Sequence, residues 1–137
     1  MILLDTHVWL WWVGDRSRLS DHSFQVLEAT PPDEIALSLF SGWEIAKLVD
    51  RGRMGFDRPV EDWMTSALEI SGTSLLGLTL EILVEATRLP QPFHRDPADQ
   101  IIVATSRVLG LPLLTQDRQI LAYEHVEHAK LQELESD

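Results

Sequence analysis

The sequence predicts an α/β fold in which a short parallel sheet is flanked by helices on both faces. Three observations predict it. Apolar runs too short to be helices recur along the chain, at residues 2–4, 34–39, 74–78 and 111–115. Between them lie longer segments with apolar residues at helical spacing. Proline and glycine stand where those segments should start or stop.

Taken in order, Ile2-Leu3-Leu4 is long enough for a buried strand and is followed by THVWLWWVG, a helix that Thr6 can cap and Gly14 can end. Residues 19–30 read as a second helix, stopped by Pro31 and Pro32. EIALSL (34–39) is a strand. SGWEIAKLVDRG (41–52) is a helix opened by Ser41 and closed by Gly52, with Trp43, Ile45, Leu48 and Val49 as its apolar set. A helix over 59–72, a strand over 74–78 and a helix over 79–90 follow. In PADQIIVATSRVLG (97–110), Pro97 stands in the first turn and Gly110 beyond the last. LPLLT (111–115) is the last strand, 118–123 makes one short turn, and the chain from about 124 is polar.

At 137 residues the chain has room for one domain, 1–137, with the tail after about 126 outside the pattern. Hydrophobic residues make up 45%, enough for a core without staples, and there is no cysteine, which excludes disulfides, thiolate metal sites and thiol catalysis. No stretch approaches the roughly 18 apolar residues of a membrane span. The first charge, Asp5, follows the apolar start rather than preceding it, unlike a signal peptide. A cytoplasmic protein with no membrane partner is the expectation. The net charge of −11 argues against steady DNA binding through a basic face, so no direct DNA contact is expected.

In open α/β sheets, ligands bind beyond the carboxyl ends of the strands. Asp5 follows the first strand there, and Asp117 lies just past the last. Glu44 falls in the helix after the second strand, and Asp96 and Asp99 bracket the start of the helix before the last. Each has an ordinary structural explanation. Asp5 and Asp96 suit helix capping, Glu44 has capping-box spacing to Ser41, Asp99 suits a helix dipole, and Asp117 suits a turn. Their coincidence at one pole is what points to chemistry. Packed carboxylates repel one another, and a hard divalent cation, magnesium or manganese, relieves that repulsion. Such an ion lowers the pKa of a bound water and steadies charge on a phosphoryl group. Other acidic-pocket chemistries fit less well. Aspartyl phosphotransfer usually places a second aspartate where His7 stands, with a nearby lysine. No glycine-rich phosphate loop is present, and His7, His22, His94, His125 and His128 are scattered rather than spaced for zinc. His125 and His128 read as solvent-facing.

The segments LLDTHVWLWW, SLFSGWEIAKL, FHRDPADQIIVATS and LPLLTQD resemble the PIN domain, specifically the VapC-type toxins of toxin–antitoxin modules, in matching order up to about Val126. The resemblance implies a Mg2+-dependent endoribonuclease, with Mn2+ as a substitute. It also implies an RNA substrate, a cognate antitoxin and a homodimer. The family's catalytic acids fall on Asp5, Glu44, Asp99 and Asp117, with Asp96 as an accessory metal acid. Thr115 and Thr6 are supporting hydroxyls that orient a water or a phosphate oxygen, and Ser41 and Trp43 match the glutamate's surroundings. A segment that often reads HRDPFDR reads HRDPADQ here, so Ala98 replaces an aromatic and Gln100 an arginine. Candidates for the RNA rim are Arg16, Arg18, Lys47, Arg51, Arg53 and Arg95, against an ordinary solvated face for Lys47 and Arg51. Trp43 and Trp63 lie in helices with apolar periodicity and read as core or interface residues. Two rival functions remain: an RNA-processing nuclease of this fold outside a toxin module, and a non-catalytic binding or regulatory module.

Overall fold

A computed structural model describes residues 1–131. The strands β1 (Ile2–Leu4), β2 (Ile35–Ser38), β3 (Ser74–Leu76) and β4 (Leu113–Leu114) form one sheet in the order β3-β2-β1-β4. Every pairing is parallel. Leu4 aligns with Leu37 on one side and Leu114 on the other, so the carboxyl ends of β1, β2 and β4 are level. The order runs outward from β1 in both directions. The switch point therefore lies between β1 and β4, where a parallel sheet opens a crevice for ligands.

Among the described residues seven α-helices cover the sheet: α1 (Thr6–Val13), α2 (Asp21–Glu28), α3 (Leu39–Asp50), α4 (Val60–Ser71), α5 (Leu80–Ala86), α6 (Pro97–Leu109) and α7 (Arg118–Leu121). Alternation along the strands divides the core in two. Leu3, Ala36 and Leu113 pack with Ile82, Ile102, Val103 and Ile120 from α5, α6 and α7. Leu4, Ile35, Leu37 and Leu114 face the other way, onto Val8 and Trp9 of α1, Val26 of α2 and Ile45 of α3, with Trp63 of α4 against them. Among the described residues no helix is long and apolar enough to cross a membrane.

The elements expected from the sequence are all present, with shifted ends. β1 matches its apolar run, whereas β2, β3 and β4 are shorter than theirs, and β4 keeps two residues. α5 ends at Ala86 rather than 90, and buried Leu89 packs from the following loop. The helix expected to open at Ser41 begins at Leu39, capped by Ser38, whose side chain accepts from the Phe40 amide at 3.1 Å. Ser41 is fully buried inside it, and Glu44 lies in its second turn rather than in a capping box. The polar tail also contributes. Leu113 N donates to Glu127 O (2.8 Å) and Ala129 N donates to Leu113 O (2.9 Å), a parallel bridge at the β4 edge. His128, expected in solvent, is half-buried in this bridge, whereas His125 is exposed. Residues 132–137, the end of the expected tail, lie outside the described residues.

The tryptophans divide. Trp9 is fully buried and its indole N–H donates to Thr73 Oγ1 at 3.1 Å. Trp63 meets Trp9 edge-on at 5.9 Å and stacks on Phe56 at 3.8 Å, a core role as expected. Trp43 is instead 54% exposed, leaning on Phe40 with Lys47 Nζ 5.3 Å from its ring. Helical periodicity placed it on the apolar stripe, but the stripe is carried by Ile45 and Leu48, and Trp43 falls beside it.

Trp9→Ala is expected to lower stability by about 3–5 kcal/mol, the cost of emptying a fully buried aromatic site. Thr73→Val should cost about 1–3 kcal/mol by stranding the buried indole N–H. Urea unfolding followed by circular dichroism measures both.

Candidate active site

The site is built from the end of β1 outward. Asp5 follows Leu4, and its backbone N–H donates to Leu114 O at 2.9 Å, still in sheet register. It is the N-cap of α1, a place for which the sequence offered both Asp5 and Thr6. Its Oδ1 accepts from the Thr6 amide at 2.8 Å and its Oδ2 from the Thr115 hydroxyl at 2.7 Å. Only 8% of Asp5 is exposed. Burial pushes its carboxyl above the usual range, against the Thr115 and Thr6 bonds and His7, with Asp117 adding to the rise.

Thr6 is the second fixed point. Its hydroxyl donates to Glu44 Oε1 at 2.5 Å and stands 2.7 Å from Ser41 Oγ. That contact ties the start of α1 to the second turn of α3 and explains why Ser41 is buried. Burial raises the Glu44 carboxyl to about 7; the Thr6 bond opposes the rise, and Asp5 and Asp96 add to it. The two threonine hydroxyls, expected to orient a water or phosphate, are thus committed to carboxylates.

Asp96 and Asp99 enter from the first turn of α6. Asp96 is the N-cap, accepting from Ala98 N (2.9 Å) and Asp99 N (3.3 Å). This fixed turn holds Asp99 inward. Asp99 is raised to about 8, first by burial and then by Asp5, Asp96, Asp117 and Glu44 in turn. Asp117 caps α7 through Gln119 N (2.8 Å) and Ile120 N (3.1 Å), while its own amide donates to Thr115 Oγ1 at 3.0 Å. All five acids named from the sequence therefore share one electrostatic neighbourhood, and Asp99 feels every other member.

Among the described residues no lysine or arginine pairs with any of the five. Among the described residues the basic side chain within ion-pair distance of them is His94, whose Nε2 lies 3.0 Å from Asp99 Oδ2. The approach is close but not aligned as a hydrogen bond, so this buried nitrogen has no hydrogen-bond partner. His94 went unrecognised as a site neighbour in the sequence, although it stands in the quoted FHRDP segment. Gln100, in place of an arginine, donates to His94 O at 3.2 Å and so braces this loop. Gln116 was also missed. Its Oε1 accepts from Ser20 N (2.8 Å) and its Nε2 donates to Arg18 O (3.2 Å), pinning the loop after α1 beside the β4 end.

The proposed rim residues are not equivalent. Lys47 and Arg51 follow Glu44 at helical spacing on one face of α3 and its C-cap, and exposed Arg95 adjoins Asp96. Arg16 is turned away. Its Nε donates to Trp12 O at 2.8 Å and its Nη1 lies 3.8 Å from Glu28, at the far end of α1. Arg18 pairs loosely with Asp15 at 3.9 Å, and Arg53 is exposed just past α3.

Hard oxygen donors held without a cationic side chain fit a divalent cation chemically. Among the described residues, however, no three acidic or histidine side chains already stand as a ligand set for one ion.

Comparison with known proteins agrees with this architecture. The PIN domain family matches residues 2–126. Ribonuclease VapC22 of Mycobacterium tuberculosis is 36% identical over 124 residues, which is 90% of this chain and 92% of that protein. Among solved structures, a toxin–antitoxin complex from Klebsiella pneumoniae superposes with a TM-score of 0.64 at 22% identity, covering 92% of this chain and 95% of that one. VapBC2 from Rickettsia felis, bound to a DNA fragment from their promoter, gives 0.66 at 15% identity over 93% and 97%. At those identities the two structures speak for the fold. The strand-end acids, the family match and the full-length relative together settle the classification: this chain belongs to the PIN-domain family.

Proposed function

We propose that this protein is a Mg2+-dependent endoribonuclease acting as the toxin of a toxin–antitoxin module. The observation that carries the proposal is the convergence of five acids without a lysine or arginine partner. The kinship with a ribonuclease, VapC22, supports RNA as the substrate, and the toxin–antitoxin complex among similar folds supports a protein antitoxin as partner.

Asp5, Glu44, Asp99 and Asp117 would hold the ion, with Asp96 beside them. When bound, Mg2+ supplies a lowered water pKa and a counter-charge at the phosphoryl group. The chain's own residues do the positioning. Thr115 and the Thr6 amide fix both oxygens of Asp5, and the Thr6 hydroxyl fixes Glu44. Lys47, Arg51 and Arg95 line the approach and offset the acidic surface for a phosphate backbone. In-line displacement by water leaves a 5'-phosphate and a 3'-hydroxyl.

Purified protein incubated with total RNA should release discrete fragments with Mg2+ or Mn2+ and none with EDTA. Asp5→Asn and Asp99→Asn should each lose this cleavage at least about a hundredfold. Cutting that persists in EDTA, or equally in both variants, rules the proposal out. Thr115→Val should weaken Mg2+ binding by about tenfold to a hundredfold in calorimetry, because it frees the buried Asp5 oxygen.

Stability should also depend on pH in a defined direction. The folded protein holds protons on Glu44 and Asp99 up to about 7 and about 8. The unfolded chain releases them near pH 4. A raised folded-state pKa contributes stability that is complete below the unfolded value and drains away as pH rises through the folded one. Chelator-treated protein should therefore lose thermal stability between about pH 4 and about pH 8. Mg2+ should restore stability at the upper end, and Asp99→Asn should flatten the slope. A melting temperature that climbs across this window would contradict the electrostatic account.

A further inference from the structure

A cavity of about 510 Å³ lies beside the carboxylates and is unused by the chemistry above. Its walls are Phe93 and His94 from the loop before α6, Gln119 from α7, and Tyr123, Glu124 and His125 after it. Two of these touch the acids: His94 Nε2 lies 3.0 Å from Asp99 Oδ2, and the Gln119 backbone N–H donates to Asp117 Oδ1 at 2.8 Å. The cavity thus shares His94 and Gln119 with the surroundings of the carboxylates.

Its lining is a row of rings. Phe93 lies 4.5 Å from His94 and 4.5 Å from Tyr123, and Tyr123 lies 5.4 Å from His125. Tyr123 is held in place by its hydroxyl, which donates to Pro90 O at 2.6 Å. At the edge, the side chains of Gln119 and Glu124 are exposed, and among the described residues neither is engaged by another group. No lysine or arginine lines the cavity, and Glu124 sets a carboxylate at its edge. A phosphate is repelled by such a wall. A flat, uncharged, aromatic group with hydrogen-bonding edges is suited to it, and a nucleobase has those properties.

We propose that this cavity is a nucleobase subsite: it seats the base of a nucleotide adjoining the phosphate at the carboxylates, with Phe93 as stacking platform and Gln119 and Glu124 as selectors of base identity. The assignment of a specificity role rests on the reading that the carboxylates cleave RNA, but base binding itself can be tested without cleavage.

Saturation-transfer NMR on the full chain, without divalent cations, would use AMP, GMP, CMP and UMP as probes. Their base protons should receive saturation, unequally among the four. Phe93→Leu should weaken binding by about tenfold or more, the loss of one base stack. Gln119→Ala with Glu124→Ala, both at exposed positions, should change the order of preference without changing the melting temperature. Mapping of RNA ends with Mg2+ should then show the double variant cutting beside a broader set of bases. Base binding that responds to these variants, with no RNA cleaved by any chain, sustains the subsite and sinks the cleavage reading. Metal-dependent cleavage at identical positions in wild type and variants, with no nucleotide binding, overturns the subsite and leaves the cleavage reading intact.

Discussion

Asp5 is a carboxylate buried at the end of the central strand, and burying a charge is costly unless it is met by donors, a proton or a cation. The surroundings of Asp5 are arranged around that constraint. Two donors reach it, one from α1 and one from beyond β4, and neither carries a charge. Four more acids then crowd the same space, which raises the cost rather than relieving it. A stability-driven design would place an arginine there. Among the described residues no lysine or arginine answers it, and in the proposed function Mg2+ would supply the counter-charge.

The fold makes this arrangement repeatable. Level strand ends at β1, β2 and β4 bring Asp5, the start of α3 and Thr115 to one height. Helix caps do the rest: Asp5, Asp96 and Asp117 each spend an oxygen on backbone amides, which fixes where their remaining lone pairs point. Capping and catalysis were competing explanations for these residues in the sequence. The structure shows them capping, and capping is compatible with a second role because a carboxylate has more acceptor sites than a cap consumes.

How much of this was legible depends on the range of the interaction. An apolar run ending in aspartate and an Asp-Pro helix start are local signals, and Asp5 and Asp96 were placed correctly from them. Glu44 was expected at the same pole, but its local company misled: the Ser41 spacing imitated a capping box, whereas Ser38 caps the helix and Ser41 turns inward to Thr6. Contacts across the chain left no local trace. The approach of His94 to Asp99 depends on how a proline-rich loop turns, and the Gln116 tie to Arg18 and Ser20 spans nearly the whole sequence. Arg16 looked free for RNA because nothing in its neighbours announces that Trp12 and Glu28 will hold it. Trp43, expected in the core or at an interface, falls outside the core because a stripe at helical spacing does not say which of its border residues face inward.

The bridge between Leu113 and His128 has a mechanical consequence. β4 is only two residues long, yet Thr115 and Asp117 hang from its end. With β1 on one side, the other side of β4 is closed by the bonds to Glu127 and Ala129, which lie just past the span the family shares. The terminal segment is therefore a buttress. It keeps the thinnest strand from peeling outward and carries a load that ends at Asp5. Extensions or fusions joined close behind Ala129 would pull on that buttress, and slack there would reach the carboxylates through two residues of sheet.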